Sequence, residues 1–167
     1  SKRVFLTGAT GFIGSHVAEY FCRQGVEVVC GVRKESNLAH LRTLPVSISY
    51  IDLLDRDALV RAVRETGFVV HTAGLVNDWS AYQAFYDTNV VGTRNIMHAA
   101  FEAGLPGVIA TGSSASYGEE DSPEIKSEKS PDKPRYAYFL DRSIPNRLNF
   151  YRTTKHLATL EAAAFAS

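Results

Sequence analysis

A chain of 167 residues with 45% hydrophobic content carries enough apolar material for a folded core, which excludes a disordered or fibrous protein. Lys plus Arg and Asp plus Glu both number 18, so the formal net charge is zero, and composition forces no basic face for nucleic acid or an anionic membrane. The partners left are small molecules and protein.

In chain order, RVFLT at Arg3–Thr7 is a run of β-formers and predicts a first strand. TGATGFIG follows, with Gly8, Gly11 and Gly14 three residues apart, and then a helix over about Ile13–Gln24. Glycine admits positive φ and lets a ligand or a neighbouring element approach to contact distance. A helix N-terminus adds unpaired N–H groups and partial positive charge, so this turn suits a diphosphate. Further strands are predicted over Glu27–Arg33, Val46–Ile51, Phe68–Thr72 and Gly107–Thr111. Helices are predicted over Arg56–Glu65, over Trp79–Ala103 in one or two pieces, and from about Phe150 to the end. Strands alternating with helices imply an α/β fold, a doubly wound parallel sheet of the Rossmann type forming one dinucleotide-binding domain over residues 1–167. Glu119–Pro134 is charged, holds three prolines and has almost no apolar anchor, so it reads as a mobile surface loop, a solvated connection or a flap over a substrate site. Cys22 and Cys30 lack metal-ligand spacing and fall in apolar stretches, which points to buried reduced thiols, no metal site and a cytoplasmic chain. No apolar run has transmembrane length, so no membrane partner is expected.

Tyr151 and Lys155 stand four residues apart, on one face of the last predicted helix. A phenol beside an ammonium ionises more readily and becomes a usable acid/base. NAD-preferring sites offer an acid at the end of the second strand, about 20 residues beyond the glycines. Here Val32 is followed by Arg33 and Lys34. An arginine can grip a 2′-phosphate that an acid would repel, so NADP is expected over NAD unless Arg33 and Lys34 are only solvated turn residues.

With Asp52-Leu53, His71-Thr72-Ala73-Gly74, Asn89-Val90-Val91-Gly92-Thr93, Ser113-Ser114-Ala115-Ser116-Tyr117-Gly118 and Tyr151-Arg152-Thr153-Thr154-Lys155 following the glycines in order, the whole chain resembles the extended short-chain dehydrogenase/reductases. The resemblance implies that Gly8, Thr10, Gly11, Phe12, Ile13, Gly14, Arg33, Asp52, Leu53, Thr72, Ala73, Gly74, Asn89, Tyr151 and Lys155 bind the cofactor. It further implies that Ser113, Tyr151 and Lys155 are catalytic, with Ser114 the second choice for the serine and Ser116 a local turn hydrogen bond. Asn89 is expected either near the nicotinamide or as a brace of helix and loop, and His71 as structural.

Val32-Arg33 and Gly112-Ser113-Ser114-Ala115 resemble the branch with dihydroflavonol reductase-like and 3β-hydroxysteroid dehydrogenase-like members. That implies hydride transfer between a nicotinamide and a carbonyl or alcohol of a small substrate. The alternatives are a nucleotide-sugar epimerase with retained NAD, compatible with Tyr117-Gly118, and a dinucleotide-binding protein without turnover. Dehydratases of the family carry acids directly after the active-site Ser or Thr, where this chain has Ser114 and Ala115. Members also often form homodimers through the long helix and the Tyr/Lys helix. The sequence stops within an apolar helical pattern after five strands where six are expected, which predicts a fold cut before its last strand and a C-terminal substrate-binding part.

Overall fold

The central strands are apolar on both faces because both sides of the sheet are covered there. Along β1 (Arg3–Thr7), Val4 and Leu6 point to one face and Phe5 to the other; along β2 (Glu27–Val32), Val28, Cys30 and Val32 oppose Val29. The first face packs on α1 (Phe12–Arg23) through Val17, Ala18 and Phe21. The second packs on α2 (Arg56–Val63) through Leu59 and Val63, and on α4 (Gly92–Glu102) through Ile96, Ala99 and Ala100. Asp55 caps α2, its carboxylate accepting from the Ala58 N–H at 2.9 Å. Burial in the first core pushes the Cys30 thiol up to about 12, so it is a packing group and not a nucleophile.

The computed structural model describes residues 2–77, 79–118, 125–135 and 146–165. With β3 (Val46–Tyr50), β4 (Phe68–His71) and β5 (Val108–Ala110), the strands form one parallel sheet ordered β3-β2-β1-β4-β5. The chain reverses direction across the sheet between β1 and β4. Thr7 is in register with both Gly31 and His71, so the carboxyl ends of β1, β2 and β4 lie side by side at this crevice.

The expected helix over Trp79–Ala103 is three pieces: α3 (Tyr82–Phe85), a π-helical turn over Tyr86–Val91, and α4. It starts late because the Asn77 side chain accepts the N–H groups of Trp79 and Ser80 at 3.2 and 2.9 Å, closing a turn where helix is expected. The last helix, α5 (Leu148–Ala164), is clamped to α4 by a bidentate Arg94–Glu161 pair at 2.9 and 2.5 Å. Arg94 holds the Glu161 carboxyl below the ordinary range. Because the Arg94 side chain is 38% exposed, the clamp contributes about 1 kcal/mol or less, and apolar packing carries the helix contact.

Of the charged stretch expected as a surface loop, residues 119–124 lie outside the described residues. Farther on, Lys133 donates its N–H to the Ser116 carbonyl at 2.8 Å, and Pro134 accepts from the Thr153 hydroxyl at 3.4 Å. This part of the loop therefore lies across the turn after β5 and the start of α5. Among the described residues no helix is long and apolar enough to cross a membrane.

Candidate functional site

The three glycines of the first turn do different things. Gly8 has φ +72, and a Cβ there would stand 2.6 Å from the Ala73 nitrogen; one on Gly14 would stand 2.1 Å from the Gly8 carbonyl oxygen. Both let the turn, α1 and the segment after β4 touch through backbone. A Cβ on Gly11 meets only the Gly8 oxygen, at 3.3 Å, and Gly11 lines the open side. Positive φ, expected of the turn as a whole, is needed at Gly8 alone among the three. Gly11 is the N-cap of α1, where no side-chain cap is made and the first turn holds no acid. The first N–H groups of α1, those of Phe12 and Ile13 among them, are therefore available to an anion. The side chains of Phe12 and Ile13 are exposed.

This turn floors a cleft of about 440 Å³ over the carboxyl ends of β1 to β4. Of the residues singled out in the sequence, Gly8, Thr10, Gly11, Arg33, Asp52, Leu53, Thr72, Ala73 and Gly74 line it. Phe12, Ile13, Gly14, Asn89, Ser113, Tyr151 and Lys155 do not. Sequence reading did not single out Thr7, Gly31, Ser36, Ile51, Leu54, Leu75 and Thr88, which also line the cleft. Strand-end position signals Thr7, Gly31 and Ile51. Ser36 and Thr88 arrive only through the path of the chain. Arg33 stands at the β2 end of the cleft with an exposed side chain, its Nε 3.3 Å from a Glu35 carboxylate oxygen. No acid occupies the end of β2 itself.

At the inner end, Gly74 has Asn89 Oδ1 3.3 Å and Lys155 Nζ 4.0 Å from where a Cβ would be, so its missing side chain brings the cleft wall up to both groups. Lys155 is buried and donates to the Thr111 carbonyl at 2.7 Å, tying α5 to the end of β5; burial holds its pKa below the usual lysine value. Asn89 is 1% exposed in the π-helical turn. Its Oδ1 accepts from the Leu75 N–H at 2.7 Å, and its Nδ2 donates to the Leu75 carbonyl at 3.3 Å and to the Thr154 hydroxyl at 3.1 Å. Of its two expected roles, the contacts made are those of a brace between α5 and the segment after β4.

His71 is buried between two threonines, with Nδ1 2.6 Å from Thr7 Oγ1 and Nε2 3.0 Å from Thr93 Oγ1. Burial, and next the Lys155 charge, lower its pKa to about 3. The unfolded chain then binds a proton near pH 6.5 that the folded chain refuses, so stability falls as pH drops from about 6.5 towards 3. Urea titrations from pH 6.5 to 5, above the carboxylate range, should show unfolding free energy declining with pH. A flat profile there would contradict a neutral buried imidazole.

Ser113 caps the 3₁₀ turn Ser114–Tyr117, its hydroxyl oxygen accepting from the Ala115 N–H at 3.2 Å, which leaves its own proton to donate. The local turn bond expected of Ser116 is thus made by Ser113. The Ser116 hydroxyl is buried with no hydrogen-bond partner among the described residues. Tyr151 is half-buried on α5, one turn before Lys155. Among the described residues no cluster of His, Cys, Asp and Glu could hold a metal ion.

Known proteins agree with this architecture. The chain is 29% identical over 163 residues, 97% of its length, to a putative dihydroflavonol 4-reductase of Synechocystis, of which it covers 44%. It is 30% identical over 169 aligned positions, 91% of its length, to UDP-glucose 4-epimerase 2 of Oryza sativa, of which it covers 41%. The chain thus spans less than half the length of these relatives. Among solved structures, MoeE5 in complex with UDP-glucose and NAD superposes with a TM-score of 0.79 at 29% identity, over 99% of this chain and 49% of that one. The family model described as NAD dependent epimerase/dehydratase matches residues 4–156, and with the parallel sheet and glycine turn this makes the chain a member of that family, within the extended short-chain dehydrogenase/reductases.

Proposed function

We propose that this chain is the dinucleotide-binding part of an NADP-dependent oxidoreductase acting on a carbonyl or alcohol of a small organic substrate. The observation that carries the proposal is the inner end of the cleft, where Lys155 Nζ lies beside Gly74 while a cradle of unpaired N–H groups stands at the glycine turn. An ammonium has three N–H donors; among the described residues one reaches Thr111, which leaves two for ribose hydroxyls. The diphosphate would lie on Gly11 and the first turn of α1, the adenosine ribose near Arg33 and Ser36, and the adenine near Asp52 and Leu53. NADP, when bound, supplies or takes up the hydride. Tyr151 gives a proton to the substrate oxygen or takes one from it, Ser113 donates its free hydroxyl proton to the same oxygen, and Lys155 stabilises the phenolate.

Relatives with reductase and with epimerase names share about the same identity with this chain, and the cofactor end of the cleft supports the reductase reading. Arg33, with no acid at the end of β2, favours a 2′-phosphate. Arg33→Ala should lower NADPH affinity by about 1.5–3 kcal/mol and NADH affinity far less. Equal losses in calorimetry would remove the assignment. The epimerase reading is supported by the likeness to a structure holding a UDP-sugar and NAD. Denaturing the full-length protein and chromatographing the released nucleotides separates the two. A reductase releases little and oxidises added NADPH in step with ketone loss; an epimerase releases NAD and interconverts a sugar nucleotide with none added.

A homodimer through α4 and α5 belongs to the same proposal. Leu160 is half exposed and Phe101 is largely exposed, so each of these helices keeps an apolar side chain on its outer surface. Sedimentation giving only monomer at micromolar concentration would rule it out.

A further inference from the structure

The segment Thr72–Leu75 forms one wall of the cleft and has no secondary structure of its own. Its side-chain hydrogen bonds among the described residues lead to two residues only. At one end Thr72 donates its hydroxyl proton to the Thr7 carbonyl at 2.8 Å, and the Ala73 N–H points at Thr7 Oγ1 at 3.4 Å. At the other end Leu75 exchanges both backbone groups with the Asn89 amide. Thr7 and Asn89 are themselves joined behind the segment through His71 and Thr93, since the Thr93 hydroxyl donates to the Asn89 carbonyl at 2.7 Å. The hydrogen bonds close into a ring around the cleft wall.

The direction of every bond in the ring follows from its members. A carbonyl can only accept, so the single Thr93 hydroxyl proton goes to Asn89. Thr93 Oγ1 must then accept from His71, which puts the imidazole proton on Nε2. Nδ1 is left as an acceptor and takes the Thr7 hydroxyl proton. Thr7 Oγ1 keeps its lone pairs for the Ala73 N–H. The other tautomer would set a lone pair of Nε2 against a hydroxyl whose proton is already committed.

We infer that His71 is a positioning residue: fixed as the neutral Nε2–H tautomer between Thr7 and Thr93, it sets the wall Thr72–Leu75 against the glycine turn and against Lys155. This rests on the proposed dinucleotide site. His71 touches neither the cleft nor its expected ligand, and acts through Thr7 and Asn89. The ring continues to α5 because Asn89 donates to Thr154, whose own hydroxyl donates to the Phe150 carbonyl at 2.7 Å. A shift of the imidazole therefore reaches both ends of the cleft.

The test uses the full-length protein and two independent readouts. In ¹⁵N-histidine-labelled protein, long-range ¹⁵N–¹H spectra should show one ring, identified by its absence from His71→Gln, with a proton on Nε2 and none on Nδ1, unchanged from pH 5 to 8. A proton on Nδ1, or titration within that range, overturns the assignment whether or not a dinucleotide binds. Separately, Thr93→Val keeps the shape and removes the hydroxyl, and Thr93→Ser restores it. Measured by calorimetry well below the melting temperature, Thr93→Val should weaken NADPH binding about tenfold, and Thr93→Ser should recover most of the loss. Thr66→Val removes another buried hydroxyl, one bonded to Val63 at the end of α2, and should lower the melting temperature without changing NADPH affinity. A folded Thr93→Val protein with unchanged affinity makes the ring merely structural and sinks the inference. Absence of NADPH binding in the unmodified protein sinks the dinucleotide reading instead, while the tautomer spectrum still stands.

Discussion

Tyr151→Phe should lower turnover by about 10²–10⁴-fold, the range for loss of a positioned general acid/base, and leave cofactor affinity nearly unchanged. The substitution deletes one hydroxyl from a half-buried ring on α5 and leaves the cleft lining as it is, because Tyr151 is not part of that lining. Binding and chemistry should therefore separate at this residue. They should not separate at Lys155, whose ammonium lies beside Gly74 and ties α5 to Thr111 at the end of β5. Lys155→Met should weaken cofactor binding and turnover together. The check is calorimetric affinity for NADPH alongside steady-state rates in the full-length protein. A Tyr151→Phe enzyme that turns over at the unmodified rate removes tyrosine from the mechanism. One that loses affinity as steeply as Lys155→Met makes its role structural.

The second large effect lies in the glycine turn, where three residues that look alike in the sequence should fail differently. Gly14→Ala places a Cβ 2.1 Å from the Gly8 carbonyl oxygen, a backbone atom that can yield only if the turn moves off α1. Overpacking of this kind costs about 3 kcal/mol or more, a large part of a domain's stability. Gly8→Ala adds a strained φ to a similar clash and should be at least as harmful. Gly11→Val meets only the Gly8 oxygen at 3.3 Å, so the fold should persist. What it loses is the close approach of a ligand to the uncapped end of α1. One or two charge-assisted hydrogen bonds at about 1.5–3 kcal/mol each amount to a loss of affinity of about tenfold at the least and well over a hundredfold if both go. Thermal unfolding by circular dichroism and calorimetry with NADPH distinguish the three. If Gly11→Val binds NADPH as the unmodified protein does, the diphosphate does not lie on this turn.

The order and nature of the elements are legible in the amino-acid sequence, because each signal is local. Alternating runs of β-formers mark all five strands, with differences of at most a residue or two at their ends. The Gly-x-x-Gly-x-x-Gly turn, the missing acid after Val32 and the Tyr151/Lys155 spacing are likewise properties of neighbouring residues. Three things were decided only by tertiary structure. A structural role for His71 and bracing as one role of Asn89 were expected from the sequence, but the partners they hold, Leu75, Thr154, Thr7 and Thr93, come from other elements and are set by tertiary contacts. The π-helical turn around Asn89 is held by side-chain bonds to Leu75 and Thr154 from other parts of the chain, whereas the break at Asn77 is a local turn closed within three residues. And the tasks of the three glycines diverged because Gly8 and Gly14 face backbone packed against them while Gly11 faces the cleft. Periodicity and spacing report which face a residue presents; which atoms meet that face depends on strands 60 or more residues apart in the chain, as with Thr7 and His71.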